Sequence, residues 1–350
     1  AKNSSVVIEF TVVEKPFVSK LKFTGNRHIR ASELKEAIST KEKDIYNSSK
    51  ILLDERAIRD LYLKKGYTNV SVSSTSEETD AGVIITFTIS EGRSTVVKEI
   101  SFMGNTVVSS KTLKSLLSMK TVGIFNKGAF QESQLEIDKQ AILAYYQNRG
   151  YVDVAILDVV RTVTYNEKDD CDELYIQYVI QEGGQYTFAG IPFTGNTIFS
   201  TEQLRSLIKL QDGEVFNMGK FQEGLVAVTD LYFENGYTSN GFNPLENKNA
   251  ETRQISVNFM IMENPRSHIE NIFVQGNEKT KDYVILRELP IESGDIFSKT
   301  KITTGLRNLF NLQYFSAIVP EIVPGSEENL VDLILNLEEQ STTSIEFGVT

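Results

Sequence analysis

The sequence predicts an α+β chain of tandem modules, each running strand, helix, helix, strand, strand. Three observations carry that expectation. A Gly-Asn turn recurs at Gly25-Asn26, Gly104-Asn105, Gly195-Asn196 and Gly276-Asn277, at intervals of 79, 91 and 81 residues. A helical pattern ends on the same signature, tyrosine, three residues, then Gly-Tyr, at Tyr62 to Tyr67, Tyr146 to Tyr151 and Tyr232 to Tyr237. An alternating apolar run closes on glutamate at Glu91, Glu182, Glu263 and Glu339. A period near 80 residues marks an array of small cores rather than one large one.

The elements follow in order. Residues Val6 to Pro16 alternate, with Ile8, Phe10 and Val12 on one face, as a half-buried strand does. They match the last strand of every later module, so residues 1–16 are expected to be the tail of a preceding module. Before the third turn, Tyr186 to Ile191 alternates as a strand. After it, Ser200 with Gln203 forms a capping box opening a helix. Gly and Asn at the turn itself tolerate the left-handed backbone a sharp reversal needs. Leu34 with Ile38, Leu113 with Leu117, Leu204 with Ile208 and Ile285 with Leu289 then mark the buried stripe of a short first helix.

A longer second helix follows, and Gly66, Gly150 and Gly236 suit its left-handed C-terminal cap. Small residues nine positions earlier, Ala57, Ala141 and Ala227, are paired with Gly305 in the fourth copy. There Tyr314 falls where the others carry the glycine, so that helix end is expected to differ. The aromatics before the caps, Tyr62, Tyr146, Tyr232 and Phe310, are expected to face the core. Second strands carry Val70 and Val72, Val154 and Ile156, and Ile318. The extra length of the second copy falls at Arg161 to Glu173 and reads as a polar hairpin loop. The expected divisions are 17–92, 93–183, 184–264 and 265–340, with short junctions that leave successive modules in touch.

Composition narrows the function. The chain has 350 residues and a net charge of −11, which argues against a general nucleic-acid binder, since phosphate contacts need clustered Lys and Arg. No apolar run is long enough to span a membrane as a helix. The single cysteine, Cys171, excludes an internal disulfide and a thiolate metal cluster. Two histidines, His28 and His268, lack motif spacing with any nucleophile, so no catalytic site is expected. The cluster Asp169-Asp170-Cys171-Asp172-Glu173 lacks the glycine and spaced oxygens of a calcium loop and reads as solvated. No phosphate-binding loop occurs in the right context. No metal or cofactor is therefore expected.

What remains is backbone chemistry. A three-stranded sheet has two borders, and a border strand offers unpaired N–H and C=O groups to an extended peptide. Strand addition reads conformation more than sequence.

The turn, the helix end and the glutamate-closing strand together resemble the POTRA domain of outer-membrane β-barrel assembly and transport proteins. That resemblance implies two helices packed on a three-stranded mixed sheet in each module. The last copy is similar to the membrane-proximal domain of BamA-type assembly factors through Gly276-Asn277, Ile285 to Glu288 and Val323 to Ser326. Residues 341–350 resemble the start of a first barrel strand. The resemblance implies a periplasmic scaffold at a bacterial outer membrane, joined to a barrel outside this chain. It would bind unfolded outer-membrane protein precursors and accessory lipoproteins, with periplasmic chaperones as further partners. It points to an exposed second-strand border, best offered here by Tyr151, Val152, Asp153, Val154, Ala155, Ile156 and Leu157, and on to Val160. It also points to a lipoprotein docking point at Arg287, Glu288 and Glu292. The arm of a related secretion transporter, a passive spacer, and a hydrolase using His268 stay open as alternatives.

Overall fold

The computed structural model describes residues 16–124 and 126–340. The preceding-module tail and the barrel-like strand lie outside those residues, apart from Pro16. The described residues fall into two compact units, one within Ala1–Tyr145 and Val154–Glu182, the other within Tyr146–Asp153 and Gly183–Thr350.

The first unit holds two sheets. Strands β1 (Val18–Thr24), β2 (Ser71–Thr79) and β3 (Gly82–Ser90) form the first, with helices α1 (Ala31–Ala37) and α2 (Ser48–Lys64). Strands β4 (Ser94–Met103), β5 (Ala155–Asn166) and β6 (Cys171–Gln181) form the second. Helices α3 (Ser110–Leu116) and α4 (Glu132–Gln147) follow β4 in the chain.

The second unit repeats the pattern. Short strands β7 (Thr187–Phe188) and β8 (Phe193–Thr194) pair with β10 (Gln254–Met262), which also pairs with β9 (Gly241–Asn249). Helices α5 (Thr201–Leu207) and α6 (Met218–Glu234) complete that module. The last contains β11 (His268–Gln275), α7 (Asp282–Leu286), α8 (Lys299–Asn311), β12 (Phe315–Pro324) and β13 (Leu330–Glu339).

In every sheet the last strand of the module is central. It runs parallel to the first strand and antiparallel to the second. Its alternate residues fill the core beneath the helices: Val83, Ile85, Phe87 and Ile89 in the first module, and Ile255, Val257, Phe259 and Ile261 in the third.

The Gly-Asn turns have one construction in four copies. A Cβ on Gly25, Gly104, Gly195 or Gly276 would stand 2.0 to 2.1 Å from a carbonyl oxygen of the central strand, so no other residue fits. The following asparagine closes the turn through its side-chain amide: Asn26 to Ile29 O at 2.9 Å, Asn105 to Val108 O at 2.8 Å, Asn196 to Phe199 O at 3.0 Å and Asn277 to Thr280 O at 2.8 Å. The closing glutamates then gather the backbone N–H groups beyond the turn. Glu91 accepts from His28, Glu182 from Thr106, Val107 and Val108, Glu263 from Thr197 and Ile198, and Glu339 from Lys279 and Thr280. The helix starts follow the chemistry of their sequence. Ser200 and Gln203 exchange both bonds of a capping box, and Asn47, Asn217 and Ser298 cap the second helices.

Five local expectations need correcting. Residues Arg161 to Glu173 are not a long loop, because β5 continues to Asn166 and β6 starts at Cys171, leaving a turn at 167–170. Val163, Thr164 and Tyr165 favour a pleated strand and outweigh the polarity of the acidic turn.

The first strand of the third module is broken. Gly190 takes φ 110°, and Pro192 has no N–H to give a ladder.

In the fourth module, Gln313 at φ 57°, not Tyr314, takes the left-handed position past the helix. Counting from the caps, buried Ile302, Gly305 and Leu309 match Phe221, Gly224 and Val228. Gly305 therefore corresponds to Gly224 rather than Ala227, and α8 is one turn shorter. With the left-handed position at Gln313, buried Leu309 takes the place of Tyr62, Tyr146 and Tyr232 four residues earlier, which overturns the last expectation: Phe310 is 62% exposed instead of core-facing.

Candidate functional site

The two borders of each sheet are treated differently. On the first strand, one residue gives both its N–H and its C=O to the loop between the helices. Val18 donates to Asp44 O at 2.8 Å and accepts from Lys43 at 2.7 Å. Val97 does so with Gly128 and Val122, Phe188 with Glu214 and Gly213, and Ile269 with Asp295 and Gly294, at 2.7 to 2.9 Å. Three of these first strands slip register against the central strand just after that residue. Protein backbone thus occupies the start of the first border in all four modules.

The second border carries no added strand among the described residues: β2, β5, β9 and β12 each pair only with their central strand. Their side chains differ in kind. Strand β9 contains Pro244, and β12 contains Pro320 and Pro324, which lack the donor an incoming strand would use. Strand β2 is serine, threonine and glutamate except for Val72. Strand β5 is proline-free, 12 residues long, and exposes Leu157, Val160, Val163 and Tyr165. It bulges at Leu157, where the Asp158 carboxylate accepts the Val159 N–H at 2.7 Å. That bond turns the Val159 amide outward, and period two turns those of Arg161 and Val163 the same way.

Of the border residues expected from the sequence, Ala155, Ile156 and Leu157 open β5. Tyr151, Val152, Asp153 and Val154 precede it; Val154 is buried, and Asp153 accepts from Lys248 at 2.7 Å. The exposed apolar stretch lies farther on, from Leu157 to Tyr165. The run Val159 to Tyr165, all β-branched or aromatic except Arg161, is the signal that would have found it.

Charges around β5 are held in pairs. Arg161 binds Glu132 through two bonds, at 2.9 and 2.7 Å. Arg93 lies 4.4 Å over the Tyr165 ring and reaches Asp172 at 3.3 Å. Lys98 binds Glu173 at 2.8 Å, and that bond holds the Glu173 carboxyl below its usual range. Burial, with Asp169, Glu173 and Asp172 nearby, pushes the Cys171 thiol up, away from the thiolate a nucleophile needs. No cluster with metal-ligand geometry occurs among the described residues.

The other expected residues lie elsewhere. Arg287 caps the end of α7, is exposed, and pairs with its neighbour Glu288 at 3.3 Å. The Glu292 N–H donates to the Asp295 carboxylate at 3.3 Å. His28 meets Glu91 through Nδ1 at 2.7 Å, whereas His268 opens β11 in the other unit.

Comparison with known proteins gives one family. The POTRA model, described as a surface antigen variable number repeat, matches residues 16–92, 95–183, 186–264 and 267–340. A Treponema pallidum (strain Nichols) protein provisionally named an outer membrane protein assembly factor is 44% identical over 345 residues, covering 99% of this chain and 41% of that protein. The outer membrane protein assembly factor BamA of Nitratidesulfovibrio vulgaris is 29% identical over 353 residues, covering 98% and 44%. The chain thus spans less than half the length of these relatives. Among solved structures, Haemophilus influenzae BamA POTRA3-5 is similar in fold, with TM-score 0.59 and 21% identity over 70% of this chain and 96% of that one.

Proposed function

Because this chain belongs to the POTRA family, we propose that it is the periplasmic arm of a bacterial outer-membrane protein assembly factor and receives unfolded β-barrel precursors by strand addition along β5. It acts as a scaffold rather than an enzyme and hands its clients to a C-terminal barrel. Accessory lipoproteins dock at the fourth module, near Arg287, Glu288 and Glu292, and periplasmic chaperones deliver clients to it.

The observation that carries this reading is the asymmetry of the borders. The first is stitched at its start to the interhelical loop in all four modules, and the second carries no added strand among the described residues. Of the open ones, β5 alone is at once long, proline-free and apolar. Each main-chain bond contributes about 1 kcal/mol net, and association itself costs several. Contact of this kind is weak and releasable, which suits a receptor that must pass clients on. Main-chain pairing also accepts many sequences, as a general assembly factor requires.

Photo-crosslinkers placed at Val160 and Thr164 on β5, and at Ser101 on β4, test it. Precursor should label the β5 positions well above Ser101. Equal labelling at all three removes the strand-addition mechanism and favours a passive spacer.

A further inference from the structure

Beside β5, inside the first unit, lies a groove of about 710 Å³. Its apolar floor is Leu63 from α2, Phe130 ahead of α4, Val163 from β5 and Leu174 from β6. The groove forms at the joint between the first two modules. There the Thr95 N–H donates to Gly66 O at 2.7 Å and sets the end of α2 beside the second sheet.

The pleat decides which side chains reach it. Val163 is opposite Leu174 and Arg161 opposite Ile176, so these β5 residues share the helix-covered face. Val160, Thr162 and Thr164 lie on the other face, opposite Gln177, Tyr175 and Glu173. An extended chain laid against β5 must obey the same alternation. Every second side chain of the visitor would point into the groove, and the intervening ones toward solvent. Lys64 and Asp60 line the rim from the first module, while Arg161 is already neutralised by Glu132.

We infer that the groove selects among clients: the occupant is a strand that alternates apolar and polar residues, with its apolar set seated on Leu63, Phe130, Val163 and Leu174. The inference rests on strand addition at β5, and it names the class of strand accepted there. Alternation is the pattern of a strand that ends with one face in lipid and the other in a polar lumen. A uniformly polar segment would gain the main-chain bonds and leave the groove unfilled. A continuously apolar one would hold half its side chains against water.

Three peptides, with binding to the full chain followed by fluorescence anisotropy, test it. The first alternates leucine and serine. The second has the same composition with leucines in adjacent pairs. The third is the first with every second backbone amide N-methylated on the pairing side. The alternating peptide should bind about tenfold more tightly than the paired one, the scale of one partly buried apolar side chain. Leu63→Gln and Val163→Asp, with folding checked by circular dichroism, should each abolish that preference. The N-methylated peptide should not bind.

If the first two peptides bind equally while N-methylation abolishes binding, the groove inference is overturned and strand addition stands. If N-methylation makes no difference, or the alternating peptide does not bind, strand addition at β5 fails and the inference falls with it.

Discussion

Tyr62 donates its hydroxyl to Oε1 of Glu91 at 2.7 Å, tying the end of α2 to the residue just past β3. Tyr232 and Glu263 make the same bond at 2.7 Å in the third module. The carboxylate thereby holds the helix end and the N–H groups beyond the Gly-Asn turn together. Tyr62→Phe should destabilise the first unit by about 2 kcal/mol, the usual size for a hydrogen bond to a charged group. Urea unfolding with a probe in the first module measures it. An unchanged midpoint would show that the turn holds without the tyrosine.

The same carboxylate confers a pH dependence with a definite sign. Burial alone would raise the Glu91 carboxyl, but bonds from the His28 N–H, the Tyr62 hydroxyl and the His28 ring outweigh it and bring it below 4.5. A carboxyl lowered on folding contributes stability in full above its unfolded value and loses it as pH falls through the folded one. The stability difference between the native chain and Glu91→Gln should therefore be widest near neutrality and narrow below about pH 4.5. Denaturation midpoints across that range check it, and a constant difference would rule the linkage out.

Tyr178 pairs with Phe102 in the second sheet, where Phe87 and Phe259 occupy the matching place in the first and third. Its hydroxyl is buried and has no hydrogen-bond partner. An unsatisfied buried hydroxyl costs about 1 to 3 kcal/mol. Tyr178→Phe should thus leave stability unchanged or raise it by about 1 kcal/mol, readable as a higher midpoint in thermal or urea unfolding. A clear loss would mean that the hydroxyl is bonded in solution.

Val163→Pro should separate the function of β5 from its folding. The proline removes an outward donor and leaves the ladder to β6 in place. Crosslinking of precursor at Thr164 should fall several-fold, while the midpoint for unfolding changes little. Undiminished crosslinking would place the client elsewhere.

The module count, the element order and the four turns were legible in the sequence because each depends on local chemistry that repeats. Gly25 and its counterparts are required by a carbonyl about 2 Å from a would-be Cβ, and Asn26 and its counterparts close their own turns. What was not legible depended on contacts distant in sequence. The stitching of Val18 to Lys43 and Asp44 has no residue signature, since it uses only backbone. The length of β5 was hidden by its acidic turn, which drew the polar reading over Arg161 to Asn166. In α8 no glycine marks the left-handed position at Gln313 and the helix is a turn shorter, so the places of Gly305 and Phe310 have no local signature.

The loop sewn to the start of β4, across the second sheet from proline-free β5, favours widening of that sheet in a single direction. A guest that settles on the far margin brings a fresh margin of its own, ready for the next hairpin arm of the same guest. Under the proposed strand addition, growth would proceed outward from β5, arm by arm. If clients add to β5 as proposed, the second sheet would act as a template with a built-in sense, on which a barrel precursor could begin to be laid out in order.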